Sequence, residues 1–275
     1  MKYLFNNPHI LFLSLFVLIT VSSCEDVVDV DLETGQSVVV IDAEILWQRG
    51  TDGSQQHIII SKMADYYNQE VPKVKGAEVV IENHNGDRFE FKDIGNGVYE
   101  CLNFIPELNT SYTLIVTIEE NVYTATEMMK SVSEILSVVQ TVEQDFSGED
   151  EIEVQFTFQD PEDESNFYLS DFETNILFYP EYVLTDDDFY NGNIIKNDFS
   201  DEDLKVGDTV KITHRGISEQ FYNYMNLILE STSGNPFATP PANVRGNILN
   251  KNSEGEHALG YFRLSQSEEL THIVN

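Results

Sequence analysis

Carboxylates dominate the side chains that could do chemistry in this sequence. Residues 145–203 carry 19 Asp+Glu against a single base, Lys196. They fall into three clusters: Asp160/Glu162/Asp163/Glu164, Asp186/Asp187/Asp188 and Asp198/Asp201/Glu202/Asp203. A hard cation such as calcium needs several carboxylate and carbonyl oxygens at once. The Asp- and Asn-rich stretch Thr185–Asn193 could supply them, with Asp186, Asp187 and Asp188 as candidate ligands. The ligand order of an EF-hand is absent, so a solvated acidic surface is the alternative. Carboxylates set roughly 5–9 Å apart also serve glycosidases, but so acidic a chain forms pairs easily and no motif selects one.

Other catalytic signatures are missing. His57, His84, His214, His257 and His272 make no His-Glu-x-x-His pattern or other zinc spacing. There is no Gly-x-Ser-x-Gly elbow, phosphate loop or dinucleotide fingerprint. A Ser-His-Asp triad would be assembled from distant positions, and nothing points to one. No cofactor is required by any pattern. Aromatic residues crowd the acidic region, and exposed Tyr and Phe make good contact platforms. Tyr182, Phe189 and Tyr190, beside the Asp-rich stretch, are the candidate ligand or partner contacts.

The elements that position these residues belong to a folded chain. Its 275 residues are 41% hydrophobic and include 17 Phe and 13 Tyr, far too many for an acidic disordered tail. The formal net charge of −33 excludes nucleic acid as a partner, because phosphate binding needs a basic face. It also excludes docking on an anionic membrane by charge alone.

Residues 1–23 read as an export signal. Lys2 is followed by the apolar run Ile10–Val21, too short to span a bilayer. The run ends in Val21-Ser22-Ser23-Cys24, which resembles the lipobox of bacterial lipoproteins, with Cys24 as the acylated residue. Cys101 would then be the one remaining thiol, a small buried hydrophobe inside a strand. Residues 24–36, with Glu25, Asp26, Asp29, Asp31 and Glu33, form an acidic tether.

Residues 37–130 read as seven short strands: Ser37–Leu46, His57–Lys62, Ala77–Asn83, Arg88–Lys92, Val98–Leu102, Ser111–Glu119 and Val122–Thr126. Asn85-Gly86 and Asn96-Gly97 mark turns. The spacing predicts an immunoglobulin-like β-sandwich. Residues 131–275 read as a β-rich domain. Ser131–Val142 fits either a strand or a short helix. Val154 to Phe158, Phe167–Tyr179 and Thr209–His214 read as strands. One helix is expected over 218–230, capped by Ser218, with the stripe Phe221, Tyr224, Met225, Ile228 and Leu229 turned to the core. The fold class is therefore mainly β, with one packed helix. Ser265–Asn275 shows no structural pattern.

The C-terminal third carries Asn235-Pro236-Phe237, then Pro240-Pro241-Ala242-Asn243-Val244-Arg245-Gly246-Asn247-Ile248, then Ala258-Leu259-Gly260-Tyr261-Phe262. With Gly76-Ala77-Glu78-Val79, Gly207-Asp208 and the lipobox, this resembles a family of Bacteroidota outer-membrane lipoproteins classed as a domain of unknown function. The resemblance implies a surface-facing, lipid-anchored protein of the outer membrane, encoded beside a TonB-dependent transporter, and no catalytic residues. The expected function is thus a non-enzymatic accessory that captures a ligand or caps that transporter. An adhesin or structural module, calcium-stabilised through the Asp cluster, is the alternative. The prolines fix an extended segment, and Gly246 and Gly260 are expected to allow tight turns. Asn243 and Arg245 on that segment either bond loop backbone or form part of a docking face.

Overall fold

A computed structural model describes residues 38–64, 70–144, 148, 150–162, 164–232, 244–253 and 255–275. Cys24, the acidic tether and Asn243 lie outside the described residues. Ser37–Asn275 forms one compact unit.

The first seven strands lie where apolar and polar residues alternate. They are β1 (Val39–Gln48), β2 (Gln56–Lys62), β3 (Glu78–Asn83), β4 (Arg88–Gly95), β5 (Val98–Cys101), β6 (Ser111–Ile118) and β7 (Asn121–Met128). Hydrogen bonding orders them β1-β2-β5 and β4-β3-β6-β7, with β4 also pairing β5 across the seam. That order is the two-sheet arrangement of an immunoglobulin or fibronectin type III sandwich. Period-two alternation sends Ile41, Ala43 and Ile45 inward with Ile58, Ile60, Phe89, Phe91, Leu114 and Val116. Buried Tyr112 donates from its hydroxyl to the Ile105 carbonyl at 2.9 Å and accepts from the Glu107 amide at 2.9 Å. Burial pushes this phenol up to about 12. Cys101 is buried, a free thiol, as the strand pattern implied.

The following strands are β8 (Ile135–Gln144), β9 (Asp150–Gln159), β10 (Phe167–Thr174), β11 (Glu181–Asp186), β12 (Ile194–Ser200) and β13 (Thr209–Ile217). The ambiguous 131–142 stretch is thus mostly strand. After α1 (Glu219–Thr232) and the two-residue β14 (Leu249–Asn250) comes β15 (Leu259–Ile273). These strands order as β8-β9-β12 and β11-β10-β13-β15, which repeats the order of the first sandwich. The expected β-rich second part is itself a sandwich, with α1 inserted between its last two strands. Phe156, Phe158, Ile195 and Phe199 from one sheet meet Phe172, Val210 and Ile212 from the other. Fully burying such a side chain contributes roughly 1.5–3 kcal/mol.

The stretch Ser265–Asn275, which showed no pattern, lies mostly in the longest strand. Leu259 to Ser267 of β15 pairs parallel with β1, and Ser267 to Ile273 pairs antiparallel with β13. One strand therefore serves both sandwiches: Phe262 and Leu264 enter the first core, while Leu270 and Val274 join the second. The boundary expected at residue 130 marks the end of the first seven strands, but the chain returns to that sandwich at Ile248, which enters its core, and at β14, which pairs with β7.

The glycines of the closing motif have a role other than turns. A Cβ on Gly246 would lie 1.8 Å from the Gly260 carbonyl oxygen. One on Gly260, at φ +92°, would lie 2.1 Å from the Ile41 carbonyl oxygen. They permit backbone to press on backbone at the joint. Asn247 completes it: its side chain donates to the Phe262 carbonyl and accepts the Phe262 amide, each at 2.9 Å.

Candidate functional site

Pairing in register fixes which side chains share the outward face of the large sheet. Asp42 lies opposite Tyr261, Glu44 opposite Arg263, Arg215 opposite Leu169 and Asp171 opposite Tyr182. Helix α1 covers part of this face. Ser218 caps it as expected: its hydroxyl accepts the Phe221 amide at 3.1 Å and donates to Glu127 at 2.9 Å. A carboxylate at a helix N-terminus is favoured by the helix dipole. Phe221, Tyr222, Tyr224 and Met225 of the expected stripe and its flank pack on Leu169, Ile217 and Tyr261.

At the edge of this cover lies a charge network. Arg263 donates to Asp42 at 2.8 Å and approaches Glu44 at 3.1 Å. Arg215 pairs with Asp171 and comes within 3.4 Å of Glu44. The Phe221 ring stands 5.3 Å from the Arg263 guanidinium carbon, a cation–π contact. Burial alone would raise the Glu44 carboxyl, yet Arg263 and Arg215 together hold it below the usual carboxylate range. Burial works against the Arg263 charge, but Glu44 and Asp42 raise its pKa. Burial lowers Arg215 despite Glu44; a guanidinium nonetheless stays protonated in proteins. Three carboxylates thus face two arginines. Tyr182 and Tyr224 border the network, both phenols pushed up first by burial and both within the field of Arg263.

Beside the network the sheet face opens into a groove of about 320 Å³, lined by Asp42, Glu44, Leu46, Gln55, Gln56, His57 and Ile59. The Gln56 amide imitates a strand partner, accepting the Leu46 amide and donating to its carbonyl at 3.0 Å each. His57 lies 3.1 Å from Glu100. The groove is lined by two carboxylates, two amides and an imidazole around two aliphatic side chains. Such a lining orients a polar or cationic ligand by hydrogen bonds and charge.

The residues selected from sequence are not brought together. Tyr182 stands on the network face, 39% exposed, while Phe189, 90% exposed, and Tyr190 lie on the β11–β12 loop. Arg245 is exposed. The three aspartates diverge. Asp186 accepts the Tyr222 hydroxyl at 2.8 Å, and buried Asp187 accepts the Asn166 amide at 2.8 Å. Asp188 is exposed. Among the described residues no three His, Cys, Asp or Glu side chains group to hold a metal ion. A phenol and a backbone amide already use one oxygen each of Asp186 and Asp187.

Ser170 and His214 form a Ser–His contact, Oγ to Nδ1, at 3.0 Å. Both are fully buried, and Asn197 donates to the same hydroxyl at 3.1 Å. Phe158, Tyr168 and Phe156 surround the imidazole, with centroids 4.3, 5.1 and 5.4 Å away. Burial drops this histidine to about 3. Such a base is neutral, sealed and structural, out of reach of any substrate.

The sequence family described as "Domain of unknown function (DUF4249)" matches residues 25–271. No curated protein matches the chain. Among solved structures, a cytokine receptor complex is similar at 8% identity and TM-score 0.25, covering 65% of this chain and 82% of that one. A segment of two fibronectin type III domains from chicken tenascin is similar at 10% identity and TM-score 0.22, covering 59% and 85%. Bovine butyrophilin gives 14% identity and TM-score 0.22, covering 65% and 91%. The fold assignment rests on the strand order given above.

Proposed function

The chain belongs to the DUF4249 family, and we propose that it is a non-enzymatic recognition module. In this reading it is anchored through Cys24 to the outer membrane, faces outward, and serves a TonB-dependent transporter by capturing a ligand or capping the pore. The observation that carries the recognition role is the groove beside Arg263. It is open, polar and built on β1 and β2 of the first sandwich, and β1 pairs with β15, the strand that both sandwiches share. Rigid elements hold a binding constellation better than loops do. The lipobox-like Val21-Ser22-Ser23-Cys24 and the acidic stretch behind it support the anchoring.

Radiolabelled palmitate and protease shaving of intact cells test the anchor. Label incorporated into the wild type and lost in Cys24→Ala, with the body cleaved from outside, is the expected result. Unlabelled protein, or protein protected from external protease, would remove the anchored, outward-facing part of the proposal.

A further inference from the structure

Away from the groove, one end of the second sandwich presents a different surface. Three chain segments meet there. Asn175 donates to Asp208 at 3.0 Å, and the Gly207 amide donates to the Val274 carbonyl at 2.8 Å. The β10–β11 loop is fixed by Ile176 and Leu177, which pack on the second core, and by the Ile176 amide donating to Thr174 Oγ1 at 3.0 Å. From this pinned loop Phe178 and Tyr179 stand out, 89% and 74% exposed, edge to face at 4.7 Å. A hollow of about 230 Å³ lies between them and Glu173, Thr174, Leu177 and Pro180. Val206 and Ile273 are exposed at the same end. Carboxylates stand about the aromatic pair: Glu173 lines the hollow, Asp208 accepts from Asn175, and Glu181 follows Pro180 within the field of Asp201 and Asp198. The bases at this end are Lys205, paired with Asp203, and Lys211, opposite Glu173 and paired with Glu269. The crowding is felt at Glu181, whose carboxyl is raised by burial and then by Asp201 and Asp198.

We propose that this end is a docking surface for a protein segment that is apolar at its centre and rimmed by Lys or Arg. The anatomy is that of an interface core: aromatic anchors held rigid before binding, inside a charged rim. Pinning the loop lowers the ordering cost of association. The sign of the rim selects the partner. Like charge repels a second copy of this chain, an anionic lipid surface and nucleic acid, while a basic rim is drawn in over a distance set by salt. The groove's Asp42, Glu44 and Leu46 pair with Tyr261, Arg263 and Ser265, eight to twelve residues before Ile273 and so roughly 25–40 Å along the strand from this surface. The groove is therefore free to act independently.

The test uses the full mature chain and two model peptides, an amphipathic Lys/Leu helix and a Glu/Leu helix of equal apolar content. Fluorescence anisotropy is expected to show salt-dependent binding of the Lys/Leu peptide alone. Phe178→Ala/Tyr179→Ala should weaken it about thirtyfold, and Glu173→Gln/Glu181→Gln should flatten its salt dependence. Both pairs are exposed, and circular dichroism checks that each variant folds. Equal affinity for the aromatic double variant would mean attraction by dispersed charge only and would overturn the proposal. So would no binding, equal binding of the Glu/Leu peptide, or Phe178-dependent binding to anionic vesicles.

Discussion

Acidification should destabilise this protein with a large contribution from one residue, His214. Its imidazole is fully buried among Phe156, Phe158 and Tyr168, and it titrates near 3 in the fold against 6.5 when exposed. The folded pKa lies below the unfolded one, so the unfolded chain binds the extra proton between these values. The stabilisation from holding this histidine neutral is complete above 6.5 and is lost as pH falls from 6.5 towards 3. Each pH unit within that window costs about 1.4 kcal/mol. Going from pH 6.5 to 4.5 therefore removes about 2.5 kcal/mol, a large part of the 5–15 kcal/mol typical of a domain. Carboxylates also contribute, in both directions: Glu44 and Asp208 are lowered in the fold and Glu127 is raised. The comparison is therefore between wild type and His214→Asn, which keeps a polar partner for Ser170 and does not titrate. Urea unfolding at pH 7.0, 6.5, 5.5 and 4.5, followed by circular dichroism and Trp47 fluorescence, gives both stability curves. The variant starts lower, having lost ring packing, and should run flatter by about 1 kcal/mol per pH unit. Parallel curves would refute the reasoning and place the acid sensitivity elsewhere.

Gly260→Ala should cost about 2–4 kcal/mol, because a Cβ there meets the Ile41 carbonyl oxygen and φ is positive. Since β15 serves both cores, thermal unfolding of this variant should fall as one transition rather than split in two. Arg263→Met should destabilise by about 3 kcal/mol by leaving Glu44 half-buried and short of a partner. Adding Glu44→Gln should recover part of that loss, measured as a double-mutant cycle in urea. Calcium and chelator should leave the melting temperature unchanged. Asp187→Ala, which strips the Asn166 amide of its acceptor, should cost about 1–3 kcal/mol, while exposed Asp188→Ala costs almost nothing.

The first seven strands were legible because each alternates β-branched or aromatic residues with polar ones, and Asn-Gly turns separate them. The helix was legible from Ser218 and the Phe221–Tyr224 spacing. β12 escaped because its inward set, Ile195, Asn197 and Phe199, places an amide in the core, satisfied only by Ser170 and Thr185 of other strands. β15 escaped for a related reason. The face it turns from the cores carries Arg263, buried Ser265 and Ser267, and Glu269, and its partners are distant in sequence, β13 more than fifty residues before it and β1 over two hundred, as Asp42 is from Arg263. The network had no local signature for the same reason. One cue was present: five arginines in so acidic a chain, one of them inside the apolar run Tyr261-Phe262-Arg263-Leu264. A cation in such a run needs a carboxylate partner from elsewhere in the fold. Composition showed the Asp triplet as three carboxylates but not the donors that two of them accept, the Tyr222 hydroxyl on Asp186 and the Asn166 amide on Asp187.

The central claim is a surface-anchored accessory of a transporter. It is tested most directly by affinity purification of the tagged, lipidated protein from detergent-solubilised native membranes, with stoichiometry read by mass spectrometry. The account predicts a TonB-dependent transporter in near one-to-one ratio, lost when Cys24→Ala keeps the body off the membrane. Repeated recovery of the lipidated protein alone would contradict it.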